Sequence, residues 1–560
     1  MGLSSTLLPG VLWTKAHEHE QPPITKPILQ EAEKVAGVRL TEAQRDLILA
    51  GLNQNLEHFE ALSRISIDHG VEPALRFSAI LPGMKFDTAS APPRWSRVGD
   101  VRMPGRVENV AFWPVTQLAK LVESRQASSV ELTKMYLGRL RRFGNKLRCV
   151  VTLMEEQALQ QARQADAEIA AGKYRGPLHG IPWGAKDILA TKGARTTWGS
   201  KVYRDQQPGH DATVVRRLEE AGAVLVAKLA TGELAYADIW FGGQTRNPWD
   251  PTEGSSGSSA GPAAAVAAGL VGFALGTETG GSIIEPAARC GVTALRPTFG
   301  RVSRRGVMTV AWSFDKVGPL CRGAEDCALV LHAIQGPDDK DLTVVDLPFN
   351  WDGEKSVGSL RVGFLEAAFE EDWPDTEEKS LAGNTLRMIA DLGVKLEPIE
   401  LPTKYPIEPA SLLAWYAEIG AVWEDLFRTG KDRDLQEEPR KAIGEVSWLG
   451  RFVPAVESVR ANRVRTLIME AMAEMMDNID LYVAPVSRND RPWPPLADLN
   501  LTLTNLTGHP AVVLPNGFTR KGLPAAISFV GKLYGEAELL ILPKLFQEAT
   551  DHHQKQPRLE

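Results

Sequence analysis

Three side chains of this sequence have types and settings suited to acyl-transfer chemistry. Lys186 follows a Gly-Ala step in GPLHGIPWGAKD (176–187), Ser258 lies in the Gly/Ser loop GSSGSSAG (254–261), and Ser282 closes LGTETGGS (275–282). A serine hydroxyl is a weak nucleophile until a base takes its proton. A lysine can be that base only when neutral, so burial or a cationic neighbour must lower its ordinary pKa of about 10.4. A second serine between the two could relay the proton. The consecutive N–H groups of Thr279, Gly280, Gly281 and Ser282 could hold a developing oxyanion, since Gly-rich backbone approaches a ligand closely and presents several donors at once. Such chemistry needs no histidine, no metal and no cofactor.

Other readings of the same residues stay open at this point. Gly257-Ser258-Ser259-Ala260-Gly261 has the form G-x-S-x-G, which would make Ser259 a nucleophile. That elbow requires a hydrophobic strand just before it, and the residues upstream, Asn247-Pro248-Trp249-Asp250-Pro251, read as loop. Ser259 is instead expected to shape the site, with Gly257. His179 and His509 are alternative bases, each expected to be an ordinary core or loop histidine. Asp187 is expected to fix the turn or the lysine, and Cys290 to be buried packing. His17, Glu18, His19, His552 and His553 are expected to be solvated.

At these residues the chain resembles the amidase signature family. That family carries a GSSGG loop, a stretch of small residues, GTDTGGS, a Cys-Gly pair and a KPTxGRVS run. The matching residues here are Gly257-Ser258-Ser259, Gly276 to Ser282, Cys290-Gly291 and Arg296-Pro297-Thr298. The resemblance covers roughly 110–548 and is densest over 176–306. In the family the two catalytic serines stand 24 positions apart, as Ser258 and Ser282 do here, which selects Ser258 over Ser255 and Ser256. The resemblance implies Ser282 as nucleophile, Ser258 as the relaying cis-serine, Lys186 as base, and a cis peptide bond between Gly257 and Ser258. It implies an amidohydrolase working through an acyl-enzyme, with aryl esters, anilides and carbamates as further substrates. The alternatives are a non-catalytic, amidase-like binding module and a glutamine-hydrolysing amidotransferase subunit. The sequence departs from the family in three places: Glu278 replaces Asp, Ile284 replaces Arg (with an uncommon Glu285 after it), and Ala260-Gly261-Pro262 replaces Gly-Gly-Ser.

The elements that must position these residues read as α/β from about Phe112 onward. Helical patterns are predicted at 115–124, 129–143, 155–171, 377–392, 409–427, 456–476 and 536–550. Strands are predicted at 223–229, 360–364, 481–486, 511–514 and 525–530. Their alternation predicts a mixed central sheet covered by helices on both faces. Residues 1–109 form a mainly helical extension followed by a Pro-rich arm, with Thr41 as a helix N-cap. The resemblance implies that residues 110–550 form the amidase signature domain. Its segment 366–500 is a candidate source of specificity, because Trp373, Trp415, Tyr416, Trp423, Trp448 and Trp493 stand in it. Trp13 and Trp95 are candidates to reach the same cleft.

Composition excludes several classes. The chain has 63 Lys+Arg against 70 Asp+Glu, a net charge of −7, which leaves no electrostatic footprint for nucleic acid. Its 43% hydrophobic content excludes disorder. The four cysteines form no CxxC pair, so a zinc ribbon is not expected. The longest small apolar run, AAAVAAGLVGFALG (263–276), is shorter than the ~20 residues a membrane span needs. The first 15 residues show neither a basic segment nor a clear cleavage site. The expected partner is a small-molecule amide, with no nucleic acid and no membrane span; a homodimer, and cytoplasmic or exported location, stay open.

Overall fold

A computed structural model describes residues 24–36, 38–65 and 77–559. Trp13, His17, Glu18 and His19 lie outside the described residues. The chain forms two compact units, one comprising Met1–Phe77, Thr309–Ser313 and Pro402–Met472, the other Ser78–Met308, Phe314–Leu401 and Ala473–Glu560.

The larger unit is built on an 11-stranded sheet. Its strands are β1 (Val150–Leu153), β2 (Pro182–Lys186), β3 (Val224–Leu229), β4 (Phe273–Glu278), β5 (Thr293–Arg296), β6 (Lys316–Cys321), β7 (Val362–Phe364), β8 (Leu396–Pro398), β9 (Leu481–Pro485), β10 (Ala511–Phe518) and β11 (Pro524–Gly531). Their spatial order is β1-β3-β2-β4-β6-β5-β10-β11-β9-β7-β8. The sheet is mixed: β2 runs parallel to both β3 and β4, whereas β4, β6, β5, β10, β11 and β9 pair antiparallel in turn. Every residue of β2, β3, β4, β5, β6, β9 and β11 is buried. A strand covered on both faces reads as a near-continuous apolar run rather than an alternation, and Val-Leu-Val-Ala-Lys-Leu in β3 is such a run but for Lys228. The helices expected over 115–124, 129–143, 155–171, 377–392 and 536–550 are present at Val115–Glu123, Ser129–Leu147, Glu155–Ala170, Thr376–Asp391 and Glu536–Thr550.

The segment 263–276 is not one element. It divides between the helix Ala260–Ala267 and strand β4. All eight residues of that helix are buried, and all are small or branched only at Val266. A Cβ on Gly261 would lie 2.4 Å from Ala230 N and 2.7 Å from Cys149 O, so only glycine lets the helix pack this closely on backbone.

The Pro-rich arm lies extended along the larger unit. Ala91 N donates to Asn350 Oδ1 (2.9 Å), Arg94 N to Trp351 O (2.8 Å) and Ser96 N to Glu325 Oε1 (2.7 Å). Prolines suit this course, since they fix φ and remove N–H donors from a strand with no sheet partner.

The smaller unit is helical. Helices Lys26–Ala36 and Glu42–Ser63 share it with Ile407–Val422, Glu424–Arg428 and Glu437–Arg451. Thr41 caps the second: Gln44 N donates to Thr41 Oγ1 (3.3 Å) and Thr41 N to Gln44 Oε1 (2.8 Å), a reciprocal capping box. Its core includes Ile48, Leu52, Leu413, Ile443 and Leu449. The helix expected over 409–427 breaks at Trp423, whose backbone (φ −100°, ψ 9°) leaves helical geometry. Among the described residues, no helix is long and apolar enough to cross a membrane.

Candidate active site

Strands β2 and β4 are neighbours and parallel, with Trp183 opposite Phe273 and Ala185 opposite Leu275. Their carboxyl ends therefore lie at one edge of the sheet, where α/β folds place their ligand sites. Lys186 is the last residue of β2, and Glu278 ends β4 just before the turn that carries Ser282. The Gly/Ser loop 254–259 enters the helix Ala260–Ala267 beside them.

Lys186 is fully buried. Its Nζ lies 2.8 Å from Ser258 Oγ, 2.9 Å from Thr277 Oγ1 and 3.1 Å from Ser259 Oγ. Among the described residues, no carboxylate pairs with it. Burial pulls the ammonium pKa down to about 7, with Asp315 and Glu278 acting weakly the other way. The peptide bond between Gly257 and Ser258 is cis. A Cβ at position 257 would lie 1.8 Å from Ala237 O, which explains the glycine.

Ser259 is engaged on every side. Its hydroxyl donates to Thr277 O (3.1 Å) and accepts from Thr277 N (3.1 Å) and from Lys186. Its N–H donates to Ser282 O at 3.1 Å, tying the Gly/Ser loop to the Ser282 turn. Ser282 itself is partly exposed, and its hydroxyl makes no hydrogen bond among the described residues. On the same turn Ile283 N and Ile284 N donate to Glu278 Oε2 (2.8 and 3.0 Å), and Glu285 N to Gly281 O (2.8 Å). The N–H groups of Thr279, Gly280, Gly281 and Ser282 have no such acceptor among the described residues.

Several functional neighbours were not legible beforehand. Thr277 holds Lys186, and the Thr279 hydroxyl donates to buried Asp315 (2.6 Å). Glu278, read as a departure, accepts from four donors: Ile283 N, Ile284 N, Arg296 Nη1 (2.7 Å) and Asn505 Nδ2 (2.9 Å). Arg491 Nη1 reaches Gly280 O at 3.4 Å. The advance signal among these was Glu278, which departs from the family pattern.

The other candidates lie elsewhere. His179 accepts from Arg175 N (3.1 Å), and His509 Nδ1 pairs with Thr507 Oγ1 (2.8 Å); neither bonds to Lys186, Ser258 or Ser282. Burial, then Arg296, pushes the His509 pKa down to about 3. Asp187 takes Thr197 N (2.9 Å) and faces buried Lys228 at 3.3 Å, fixing the turn after Lys186. Cys290 is buried. His552 and His553, expected to be solvated, are instead half-buried: His552 packs near Phe546 and Phe518, and burial pushes the His553 pKa down to about 4. Trp373, Trp423, Trp448 and Trp493 are buried, the first and last with indole N–H groups on Ala368 O (3.1 Å) and Asn489 O (2.9 Å).

A protein-family model named Amidase matches residues 131–540. This chain belongs to the amidase family. Members act on amide C–N bonds, and the signature motifs fall on the loops just described. This amidase is 35% identical over 478 residues to a glutamyl-tRNA(Gln) amidotransferase subunit of Moorella thermoacetica, covering 79% of this chain and 98% of the relative. Among solved structures, the native peptide amidase of Stenotrophomonas maltophilia superposes with a TM-score of 0.67 at 28% identity, covering 80% of this chain and 99% of that one. A chain from a vestigial protein complex, described as revealing the evolutionary origins of an s-triazine catabolic enzyme, superposes with a TM-score of 0.72 at 27% identity, covering 80% and 100%.

Proposed function

We propose that this amidase is a serine amidohydrolase in which Ser282 is the nucleophile, Ser258 the proton relay and Lys186 the base. The observation that carries this reading is the 2.8 Å contact between Lys186 Nζ and Ser258 Oγ in a buried site with no carboxylate on the lysine. Hydrogen-bond polarity then follows. The Ser259 proton is committed to Thr277 O, so Ser259 can only accept from Lys186. A neutral amine has two donors, and in the proposed arrangement they go to Ser259 and Thr277 Oγ1. Its lone pair is left for the Ser258 O–H, and Ser258 Oγ can in turn accept the Ser282 proton. Catalytic hydrogen bonds that are long in a free enzyme tighten in the Michaelis complex, and the Ser282–Ser258 contact is asked to form there.

In the proposed cycle Ser282 Oγ bonds to the amide carbon while its proton passes through Ser258 to Lys186. The N–H groups of residues 279–282 hold the oxyanion. The same relay returns the proton to the leaving nitrogen as the C–N bond breaks. Water, deprotonated along the same route, then releases the acid and frees Ser282. Aryl esters, anilides and carbamates present the same carbonyl chemistry. Because the chain covers nearly all of an amidotransferase subunit to which it is 35% identical, glutamine hydrolysis feeding a partner is the second reading.

The test is a mass-spectrometric turnover screen of aliphatic amides, anilides, peptide C-terminal amides, aryl carbamates, esters and glutamine, beside Ser282→Ala. Turnover of anilides or carbamates that vanishes in the variant supports the hydrolase. Turnover of glutamine alone favours the amidotransferase reading. Equal rates in variant and wild type remove Ser282 from its role, and absence of serine labelling by a fluorophosphonate revives the binding-module reading.

A further inference from the structure

Glu285 stands three residues beyond Ser282. Glu285 N donates to Gly281 O (2.8 Å) at the start of the helix Ile284–Cys290, and the Glu285 side chain lies back over Gly281. Its Oε1 lies 2.2 Å from the point a Cβ on Gly281 would occupy. A carboxyl group therefore covers the loop whose N–H groups form the proposed oxyanion site. The Glu285 side chain is only 22% exposed, and its carboxyl makes no hydrogen bond among the described residues. Its nearest cation, Arg491, stands 3.8 Å away and already pairs with Asp498. The other charges facing it are carboxylates: Glu278, held by Arg296, then Asp498 and Asp490. Burial pushes the Glu285 carboxyl up to about 8, Arg491 opposes this, and those three carboxylates reinforce it.

A half-buried carboxyl with no protein hydrogen-bond donor has lost part of its hydration, and a ligand can supply the missing donor. We infer that Glu285 is a specificity-determining residue that selects amides whose acyl part carries a basic nitrogen. This rests on Ser282 being the nucleophile. The leaving nitrogen must take its proton from Ser258, so it occupies the Lys186–Ser258 flank. Glu285 bonds to neither of those residues and comes from the turn beyond Ser282, the flank left to the acyl group. A substrate ammonium placed there draws the carboxyl into its charged form and gains a charge-assisted hydrogen bond, whereas a neutral alkyl chain leaves the carboxyl unsatisfied and a substrate carboxylate loses hydration without gaining a cation.

The experiment compares p-nitroanilides of ω-amino acids, of the matching alkyl acids and of the matching dicarboxylic half-acids, each three to six carbons long. Wild type, Glu285→Gln, Glu285→Asp and Glu285→Arg are ranked by kcat/KM and by protection of Ser282 from a fluorophosphonate. A charged hydrogen bond predicts that wild type favours the ammonium substrate by about tenfold or more at one chain length. Glu285→Gln abolishes that ranking, Glu285→Asp moves the favoured length, and Glu285→Arg turns the ranking toward the half-acid. Preference for no substrate in wild type, or an unaltered ranking in variants that still label, overturns the inference. A wild type that does not label at Ser282 overturns the nucleophile reading instead.

Discussion

Glu278 and Arg296 form a fully buried ion pair at 2.7 Å directly beneath the Ser282 turn. Burial opposes the Glu278 charge, but Arg296 and Lys316 hold its carboxyl below the usual range. Glu278 is one of the places where this chain departs from its family's pattern, Glu standing for Asp. The longer acid is thus paired with a buried cation. Its second oxygen takes Ile283 N and Ile284 N, and the preceding N–H groups, the proposed oxyanion donors, are not drawn to it.

Removing one side of that pair strands a charge in the core. Arg296→Met is expected to lower stability by about 3–5 kcal/mol, as for other broken buried pairs. Urea denaturation reads this directly, and a midpoint equal to wild type would falsify the clamp.

Ser258→Ala removes the hydroxyl that meets Lys186 without adding volume. The expected result is a folded protein with turnover reduced by roughly 10²–10⁴-fold, the range for losing a positioned proton-transfer group. Circular dichroism checks the fold and steady-state kinetics the rate; a rate near wild type removes Ser258 from the relay.

The pH dependence has a definite sign. Lys186 is a base only when neutral, and burial brings its pKa down to about 7. Below that value it holds a proton and cannot accept one from Ser258. Activity is therefore expected to rise with pH through an acid limb centred near 7. A profile of kcat/KM that stays flat from about pH 6 to 9, with chemistry rate-limiting, contradicts this role.

Gly257→Ala places a Cβ 1.8 Å from Ala237 O, a backbone atom that cannot swing aside. The loop must shift, and Ser258 with it. Loss of fluorophosphonate labelling together with a lowered melting temperature is expected; wild-type labelling would show that the loop tolerates the shift.

Much of the frame was legible in the sequence. The last helix, 536–550, falls where its 3.6-residue period places it. Strands β2, β4, β5 and β6 were not legible, because they lack the long apolar run that marks β3, and β2, β4 and β6 each contain a glycine. Trp423 interrupts a helix whose apolar period runs straight through it.

Residue type, order and spacing were enough to establish the family resemblance, the three chemically capable residues and the glycines their loops require. Nothing in those properties says that Thr277 and Ser259 hold Lys186, that Glu278 clamps the Ser282 turn, or that Glu285 lies over it without a hydrogen-bond donor. Such relations come from the packed fold, through the parallel register of β2 with β4 and through which side chains lose water together. Burial also sets the lysine's proton affinity, and desolvation is a property of the assembled molecule rather than of any segment of chain.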